Sequence, residues 1–348
     1  MNISVTTRNL FRLLRSGAFG QTEAIEPLSV WKWGQLQKMA VSHGIAALVY
    51  DGLVNCSNQF FATIPQKQMD QWKQAAEATE NTNRKYNVAL SNLFPKLMNE
   101  LTRPILVSGQ ALGILYNNPL HRSANRISLY FPYETKAKKA DEWIKQNATP
   151  PIDHERNTLS YTWMEAKAEN RHRLVSMANT LNNRTLQHII EEDFCASTPT
   201  YFNINGTRVE TLSPTLQLLI IIVDMAQGMM NEGFKAKQLT DMGVFLRKAG
   251  DKVDYVKLHN WTDRLSLTAF VQVEGTMLMT LLGFEAEELP FMDETIDING
   301  ILKKELAWQP DTTQWRIKRS ARYFRYYPGE SVAGLLNSFA HTLSQVEE

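Results

Sequence analysis

Two short strands, joined by a glycine turn and a short helix, constrain most strongly what this chain can fold into. Residues 103–131 read "RPILVSGQALGILYNNPLHRSANRISLYF". Side chains alternate along a strand, so Arg126, Ser128 and Tyr130 should share one face of the second strand, and the apolar residues between them the other. The spacing predicts two neighbouring strands, with the turn at their shared end, inside a small α/β unit of about residues 103–195.

The residues on both sides of this unit have helical spacing. Residues 65–94 predict a long polar helix, which Pro95 should kink or restart. The fold class is therefore α+β, with a small α/β core between two helical regions. The predicted domains are an N-terminal helical region (1–102), the core (103–200) and a C-terminal helical region (201–348).

Three further segments predict elements of this arrangement. Residues 133–147 predict an amphipathic helix, and residues 154–166 a strand or hairpin. Thr211 and Ser213 are candidate N-cap residues for a helix that begins at Pro214, because proline is favoured at the first helical position.

Composition and charge exclude several classes of protein. Hydrophobic residues make up 43% of the 348, which is enough for a packed core. Lys+Arg is 37 and Asp+Glu is 36, so the net charge of +1 argues against a dedicated nucleic-acid binder. Basic and aromatic residues do interleave in residues 315–327, but that pattern also fits a helix that packs against its own protein.

Cysteine usage and hydropathy predict a soluble cytoplasmic protein. Cys56 and Cys195 lie far apart and have neither a disulfide nor a zinc spacing, which fits free thiols in a reducing compartment. The most apolar stretch, Leu216–Ala226, is too short to cross a bilayer and contains Asp224.

The order of these pieces resembles a bacterial family of nucleotidyltransferase-like proteins with a polymerase β fold, common in Bacteroidetes. Its members typically show a Lys-Gly turn, a helix that ends in Tyr-x-x-Pro, an arginine, and Gly-Asp-Ile-Asp-Leu on the second strand. This chain has the corresponding Ser108-Gly109, Tyr116, Pro119, Arg122, and "NRISLYF" from Asn125.

Later segments extend the resemblance over about Val30 to Leu336. The helical segment "NEGFKAKQLTDMGVFL" is similar to the family's Glu-Gly-x-x-x-Arg-Gln-x-x-Asp and has Lys237 for the arginine, with Asp241 at its end. The terminal "YFRYYPGESVAGLL" also resembles the family's ending. The resemblance implies a small polymerase β-like nucleotidyltransferase core between the two helical regions.

The chain departs from the family where the chemistry should be. Ser108 replaces the lysine of the turn, and Arg126 and Ser128 replace the two strand aspartates. A later strand, which offers the third carboxylate in the family, corresponds to "LSYTWM", with Ser160 at that position. With Gly109, these are the degenerate family positions, so we expect no catalytic residue and no metal site.

The resemblance also implies which residues could bind a ligand: Gly109, Arg122, Arg126, Lys237 and Asp241. Arg126 cannot ligate a metal, but as a fixed cation it could bind a phosphate directly. The interpretation that we favour is a structural salt bridge, for which Glu155 and Glu165 are the expected partners, because structural ion pairs are common where a site has been lost.

Three functions follow as hypotheses. The first is a pseudoenzyme that has lost metal-dependent nucleotidyl transfer and binds a nucleotide, a sugar nucleotide or a protein partner, without a cofactor. The second is an active nucleotidyltransferase that uses Mg²⁺ and a nucleoside triphosphate through relocated ligands, for which Asp153 and Glu155 are candidates. We favour a solvated turn after Pro150-Pro151 for those two residues, because chance carboxylate pairs are frequent in loops. The third is an interaction module with no small-molecule site.

Overall fold

A computed structural model of the chain describes residues 3–58, 64–155, 157–293, 295–306 and 313–335. Contacts group the chain into two compact units. The first, which we call the sheet unit, contains Ser4–Leu174 and Phe194–Ser213. The second, which we call the helical unit, contains Met1–Ile3, Val175–Asp193 and Pro214–Glu348. The division into regions 1–102, 103–200 and 201–348 was drawn from changes in sequence pattern, and it stays a prediction.

The sheet unit alternates helices with strands only in its second part. Its helices are α1 (Val5–Phe19), α2 (Val30–Ser42), α3 (Ala46–Asn55), α4 (Gln66–Asn99), α5 (Gly109–Gly113) and α6 (Glu134–Asn147). Its strands are β1 (Ile105–Val107), β2 (Ile127–Tyr130), β3 (Thr149–Glu155), β4 (Thr158–Trp163), β5 (Ala166–Arg171), β6 (Thr200–Ile204) and β7 (Thr207–Thr211).

Within the described residues, the strands form one mixed seven-stranded sheet in the order β3-β4-β5-β2-β1-β7-β6. Strands β1 and β2 pair antiparallel, with Val107 opposite Ser128. Strand β5 lies parallel to β2, and β7 lies parallel to β1. The predicted strand pair, with the Ser108–Gly109 turn at its shared end, is therefore confirmed, as is the α+β fold class.

Helices α4 and α6 cover one face of this sheet. Ile127 and Leu129 of β2 are fully buried in a cluster with apolar residues of both helices, among them Leu90, Leu93 and Ile144. Burying one such side chain stabilises the folded state by about 1.5–3 kcal/mol. Because side chains alternate along β2, its residue between Ile127 and Leu129 must point away from these helices.

Three details correct the prediction. Residues 149–155 form edge strand β3 rather than a solvated turn, and Asp153 lies on it, opposite Ser160. Helix α4 runs without a break through Pro95 to Asn99, so the helix does not restart there. The hairpin of β6 and β7 was not predicted at all.

The turn of that hairpin carries a readable signal. Asn205 and Gly206 connect β6 to β7 with φ values of 48° and 80°. Two successive residues with positive φ are what a two-residue hairpin turn requires, and Asn-Gly is its commonest sequence. The dipeptide should therefore have predicted the hairpin.

The helical unit is built around one helix that is apolar on all sides. Its helices are α7 (Thr180–Ala196, whose last residues belong to the sheet unit), α8 (Pro214–Asn231), α9 (Ala236–Ala249), α10 (Tyr255–Arg264), α11 (Thr268–Leu282), α12 (Asn299–Glu305) and α13 (Thr313–Tyr323). Most residues of α8 are buried, and the helix begins at Pro214 as predicted.

One face of the segment with interleaved basic and aromatic residues packs inside the helical unit. Tyr323 and Tyr327 are fully buried, and both rings lie against Phe270 of α11. Among the described helices, none combines the length and the apolar character needed to cross a bilayer.

Helix α11 also carries a carboxyl group inside the helical unit. Glu274 is fully buried, and within the described part of the chain neither of its oxygens has a hydrogen-bond partner. Burial disfavours the charged form and raises the pKa of Glu274 well above its ordinary value. The folded protein therefore keeps a proton that the unfolded chain releases at about pH 4.3.

We expect Glu274→Gln to match the native protein in stability at about pH 4 and to exceed it at about pH 8. The folded state binds more protons than the unfolded state between the two pKa values, so native stability falls as pH rises through that window. The amide has no proton to lose. Urea unfolding across this pH range measures the difference, with exposed Glu287→Gln as the control. If the difference in unfolding free energy between the variant and the native protein does not change with pH, Glu274 is not a neutral acid in the folded state.

Candidate functional site

The site begins at the turn between β1 and α5. Ser108 has φ 50° and ψ −151°, and Gly109 has φ 44°. A residue other than glycine held in such a region costs on the order of 1–3 kcal/mol, and surrounding contacts must hold it there. A Cβ at Gly109 would also meet the Arg126 carbonyl oxygen at 3.3 Å. The backbone of this turn therefore lies tight against the start of β2.

Arg122 fixes this turn through a hydrogen bond to its backbone. Its side chain is buried, and Nη1 donates to the Gly109 carbonyl over 2.9 Å. Helix α4 fixes the loop around it: Asn83 Nδ2 donates to the carbonyls of Leu120 and Arg122, and Tyr86 Oη donates to that of Asn125. The arginine that the sequence marked as a candidate ligand residue thus has a structural role in shaping the turn.

Glu169 of β5 is the carboxylate next to the degenerate positions. It lies opposite Ser128 on the adjacent parallel strand and is almost completely buried. Ser128 Oγ donates to Glu169 Oε1 over 2.7 Å, and Arg126 Nη1 donates to Oε2 over 2.7 Å. Arg171, two residues along β5, donates from Nε to Oε1 over 2.6 Å. Both carboxylate oxygens are therefore engaged by charged or hydroxyl donors.

These contacts determine the ionisation of the carboxylate. Burial alone would raise the pKa of Glu169, but the charge of Arg171 and the hydrogen bonds from Ser128, Arg126 and Arg171 together outweigh it. The pKa of Glu169 consequently lies below its ordinary value, and the side chain is an anion at neutral pH. Two guanidinium groups and one carboxylate leave the cluster with a net charge of +1.

Two predictions about this site need correction. Arg126 does form a structural salt bridge, but its partner is Glu169; Glu165 instead pairs with Lys85, and the Glu155 side chain lies outside the described residues. Ser160 does not lie beside Ser128. It is on β4, opposite Glu169, so strand β5 separates it from β2.

The predicted ligand residues fall in both units. Lys237 and Asp241 lie on α9 of the helical unit, whereas Gly109, Arg122 and Arg126 belong to the sheet unit. That these five residues bind a ligand stays a prediction. Glu169 itself was missed, because the sequence does not reveal which later strand pairs with β2.

The residues present do not fit a magnesium site. Hard divalent cations need several oxygen anions, and the family arrangement supplies three carboxylates. Here Glu169 is joined by a guanidinium and a hydroxyl at the two other positions. Within the described residues, no group of three or more His, Cys, Asp or Glu side chains could hold a metal ion.

Known proteins resemble the chain as follows. The family described as "uncharacterised nucleotidyltransferase" matches residues 30–283. No curated protein matches. Among solved structures, an antigenic nucleotidyltransferase-like protein from Paracoccidioides brasiliensis is 16% identical with a TM-score of 0.38, covering 60% of this chain and 98% of that one. A likeness this distant supports no conclusion about the present chain.

We expect Glu169→Gln to lower the free energy of unfolding by about 1–3 kcal/mol at pH 7, since it leaves two guanidinium groups facing each other without an anion. The native folded-state pKa is depressed, so the stabilisation is present above about pH 4.3 and is lost as pH falls through the folded-state value. Denaturant titrations at several pH values measure both effects.

Exposed Glu165→Gln is the matched control for this substitution. It breaks only a solvated contact with Lys85 and should change stability by less than about 1 kcal/mol. Equal losses of unfolding free energy in the two variants would show that Glu169 does not stabilise the fold by neutralising Arg126 and Arg171.

Proposed function

This chain belongs to the uncharacterised nucleotidyltransferase family, and we propose that it is a member that has lost metal-dependent nucleotidyl transfer and serves as a binding or regulatory protein. In the cell we place it in the cytoplasm, where it needs no metal cofactor.

The chemistry of nucleotidyl transfer explains what would have been lost. In metal-dependent nucleotidyl transfer, carboxylates would hold two magnesium ions, which would neutralise charge on the triphosphate and activate the acceptor oxygen. Carboxylates at i and i+2 on one strand point the same way and can share the ions. At those positions Arg126 repels a cation, and Ser128 offers only a neutral hydroxyl.

The observation that carries the proposal is the occupation of Glu169. Both of its oxygens already accept short hydrogen bonds, two of them from guanidinium groups. A divalent cation would have to displace these groups and would gain one carboxylate in return. The resemblance implies that a catalytic member would hold its metal at positions 126 and 128, and in this chain both side chains hydrogen-bond Glu169 instead, which supports the proposal.

The same cluster supports a binding role. The side chain of Arg126 is half exposed and that of Arg171 partly so, and the cluster carries a net positive charge. Guanidinium groups match phosphate oxygens in geometry and charge. The phosphate of a nucleotide or sugar nucleotide is the ligand class that this cluster favours. The alternative is that the chain binds a protein partner and has no small-molecule site.

The native protein should bind neither Mg²⁺ nor Mn²⁺ stoichiometrically, with or without ATP, because the cluster offers no free carboxylate oxygen. Isothermal titration measures binding, and pyrophosphate release from ATP measures transfer. Magnesium-dependent pyrophosphate release would overturn the proposal and support an active enzyme with relocated ligands.

The double variant Arg126→Asp/Ser128→Asp should gain a metal site, because Glu169 already stands on the adjacent strand as the third carboxylate. The three anions then face one remaining guanidinium, that of Arg171, so they repel one another and the metal-free variant should be less stable than the native protein. Mn²⁺ should then raise its melting temperature, since a ligand at about 100 times its Kd stabilises the folded state by about 2.7 kcal/mol.

The matched control is the same pair of substitutions with Glu169→Gln added, which removes the third ligand and should abolish most of the response to Mn²⁺. If the double variant folds and its melting temperature ignores the metal, these positions do not converge on one cation. Transfer activity need not return, because substrate positioning requires more than the metal ligands.

A further inference from the structure

The two outer strands of the seven-stranded sheet differ in how their free edges are protected. Strand β3 forms one edge of the sheet and strand β6 the other. Strand β3 contains Pro150 and Pro151, which have no backbone N–H, and its pairing with β4 shifts register between Thr149 and Asp153. Proteins use prolines and such irregularities to keep an edge strand from pairing with another chain. The edge at β3 is therefore blocked.

Strand β6 has none of these protections. Its residues, Thr200–Ile204, include neither a proline nor a charged side chain, and all of them pair with β7 in one continuous register. Most are aromatic or β-branched, which are the residue types favoured in strands. Among the described residues, no strand lies on the outer side of β6. A regular, uncharged edge of this kind is a template for one more strand.

The turn of the β6–β7 hairpin determines which backbone groups of β6 form hydrogen bonds within the hairpin. Asn205 and Gly206 form a two-residue turn in which both residues have positive φ. The residue before such a turn accepts a hydrogen bond from the residue after it, so Ile204 and Thr207 are a hydrogen-bonded pair. Because hydrogen-bonded and non-hydrogen-bonded pairs alternate along an antiparallel ladder, this pair fixes the others.

The alternation leaves two residues of β6 with backbone groups that point outward. Phe202 lies two residues before Ile204, so its N–H and C=O groups face β7. The N–H and C=O groups of Tyr201 and Asn203 point away from the sheet. Tyr201 and Asn203 are exposed, and Phe202 is half-buried. The outward groups are therefore accessible, and they are arranged symmetrically about Phe202.

We propose that β6 pairs with β6 of a second copy of this chain, antiparallel and about a twofold axis at Phe202. In this register Tyr201 of each copy lies opposite Asn203 of the other, and each such pair exchanges both N–H···O bonds. The outward groups of the two residues are then satisfied in both copies. The two seven-stranded sheets join edge to edge into one continuous sheet.

The side chains favour a second copy as the partner. The two Phe202 side chains meet at the axis as a non-hydrogen-bonded pair, in which side chains approach most closely, and aromatic pairs of this kind stabilise a sheet. Phe202 lies opposite Val209, which belongs to the same apolar cluster as Leu90 of α4, so the second phenylalanine extends this core across the axis. A twofold axis also places each residue near its own kind, and β6 has no charged residue to be repelled.

The inference does not rest on the proposed function. Strands β2, β1 and β7 lie between β6 and Glu169 of β5, so pairing at β6 leaves the ion-pair cluster unchanged. A five-residue strand offers far fewer contacts than the roughly 20–30 residues per side of a stable interface. The dimer should therefore dissociate on dilution, with a Kd on the order of 10–100 μM.

Sedimentation velocity of the full chain from about 1 to 500 μM should show this reversible monomer–dimer equilibrium. Asn203→Pro removes an outward N–H and should weaken association at least about tenfold, while the hairpin tolerates it because proline is accepted where an edge N–H faces away from the sheet. Asn203→Ala is the matched control. It loses the same side chain, with its hydrogen bond from the Gly206 N–H, but keeps the backbone donor and should dimerise like the native protein.

Cysteine cross-linking tests the register of the two strands. Cys195→Ala removes the exposed native thiol. In that background Phe202→Cys places two thiols across the axis, where the Cα distance of about 4.5 Å lies within the roughly 4.4–6.8 Å that a disulfide spans. With copper–phenanthroline as the oxidant, it should form linked dimers at least about tenfold faster than Asn205→Cys, which is exposed but far from the axis.

Hydrogen exchange at single-residue resolution distinguishes a second copy from other occupants of the edge. The amides of Tyr201 and Asn203 should exchange rapidly in dilute protein and more slowly as the protein concentration rises. The amide of Phe202, which bonds to β7, should be protected at every concentration.

Three results would overturn the inference. The first is a monomer at every concentration, with Tyr201 and Asn203 exchanging rapidly throughout, which would leave the edge to a different protein or to water. The second is association that Asn203→Pro does not weaken, or cross-linking no faster at position 202 than at 205, which would place the contact between copies elsewhere. The third is protection of Tyr201 and Asn203 at every dilution, which would assign the edge to another segment of the same chain.

Discussion

A carboxylate buried on a central strand must be neutralised where it stands, and Glu169 imposes this constraint on the whole face of the sheet around it. It lies on β5, inside the seven-stranded sheet, with almost no access to water. An isolated charge in such a place would be very costly. The residues at 126, 128 and 171 are accordingly all hydrogen-bond donors to it.

The sequence predicted the local part of this arrangement. Strand alternation and the glycine turn assigned β1, β2 and the face of Ser128 correctly, because these depend on neighbouring residues only. The third position was misplaced because strand pairing is a long-range property. Strand β5 follows β3 and β4 along the chain yet pairs with β2, and a single sequence does not reveal that Glu169, and not Ser160, becomes the neighbour of Ser128.

Other parts of the site depend on a tight backbone turn. Ser108 and Gly109 both have positive φ, and Arg122 holds the Gly109 carbonyl from the buried side. With residues of the β6–β7 hairpin, Gly109 and Arg122 line a small cleft beside the turn, and the Arg126 carbonyl comes close to Gly109 from β2. Sequence spacing pointed to the turn and to Arg122. It did not point to the cleft, because that also requires the position of the β6–β7 hairpin.

The mutual pairing at Glu169 makes the proposed loss of catalysis hard to reverse by evolution. A return to aspartate at 126 alone removes one guanidinium from Glu169 and places a second anion beside it. A return at 128 alone replaces a hydrogen-bond donor with a charge of the same sign as its neighbour. Each single step therefore passes through a less stable protein before a cation can compensate. Once both positions had changed, each single reversion would be selected against for its loss of stability, and the lineage would remain non-catalytic.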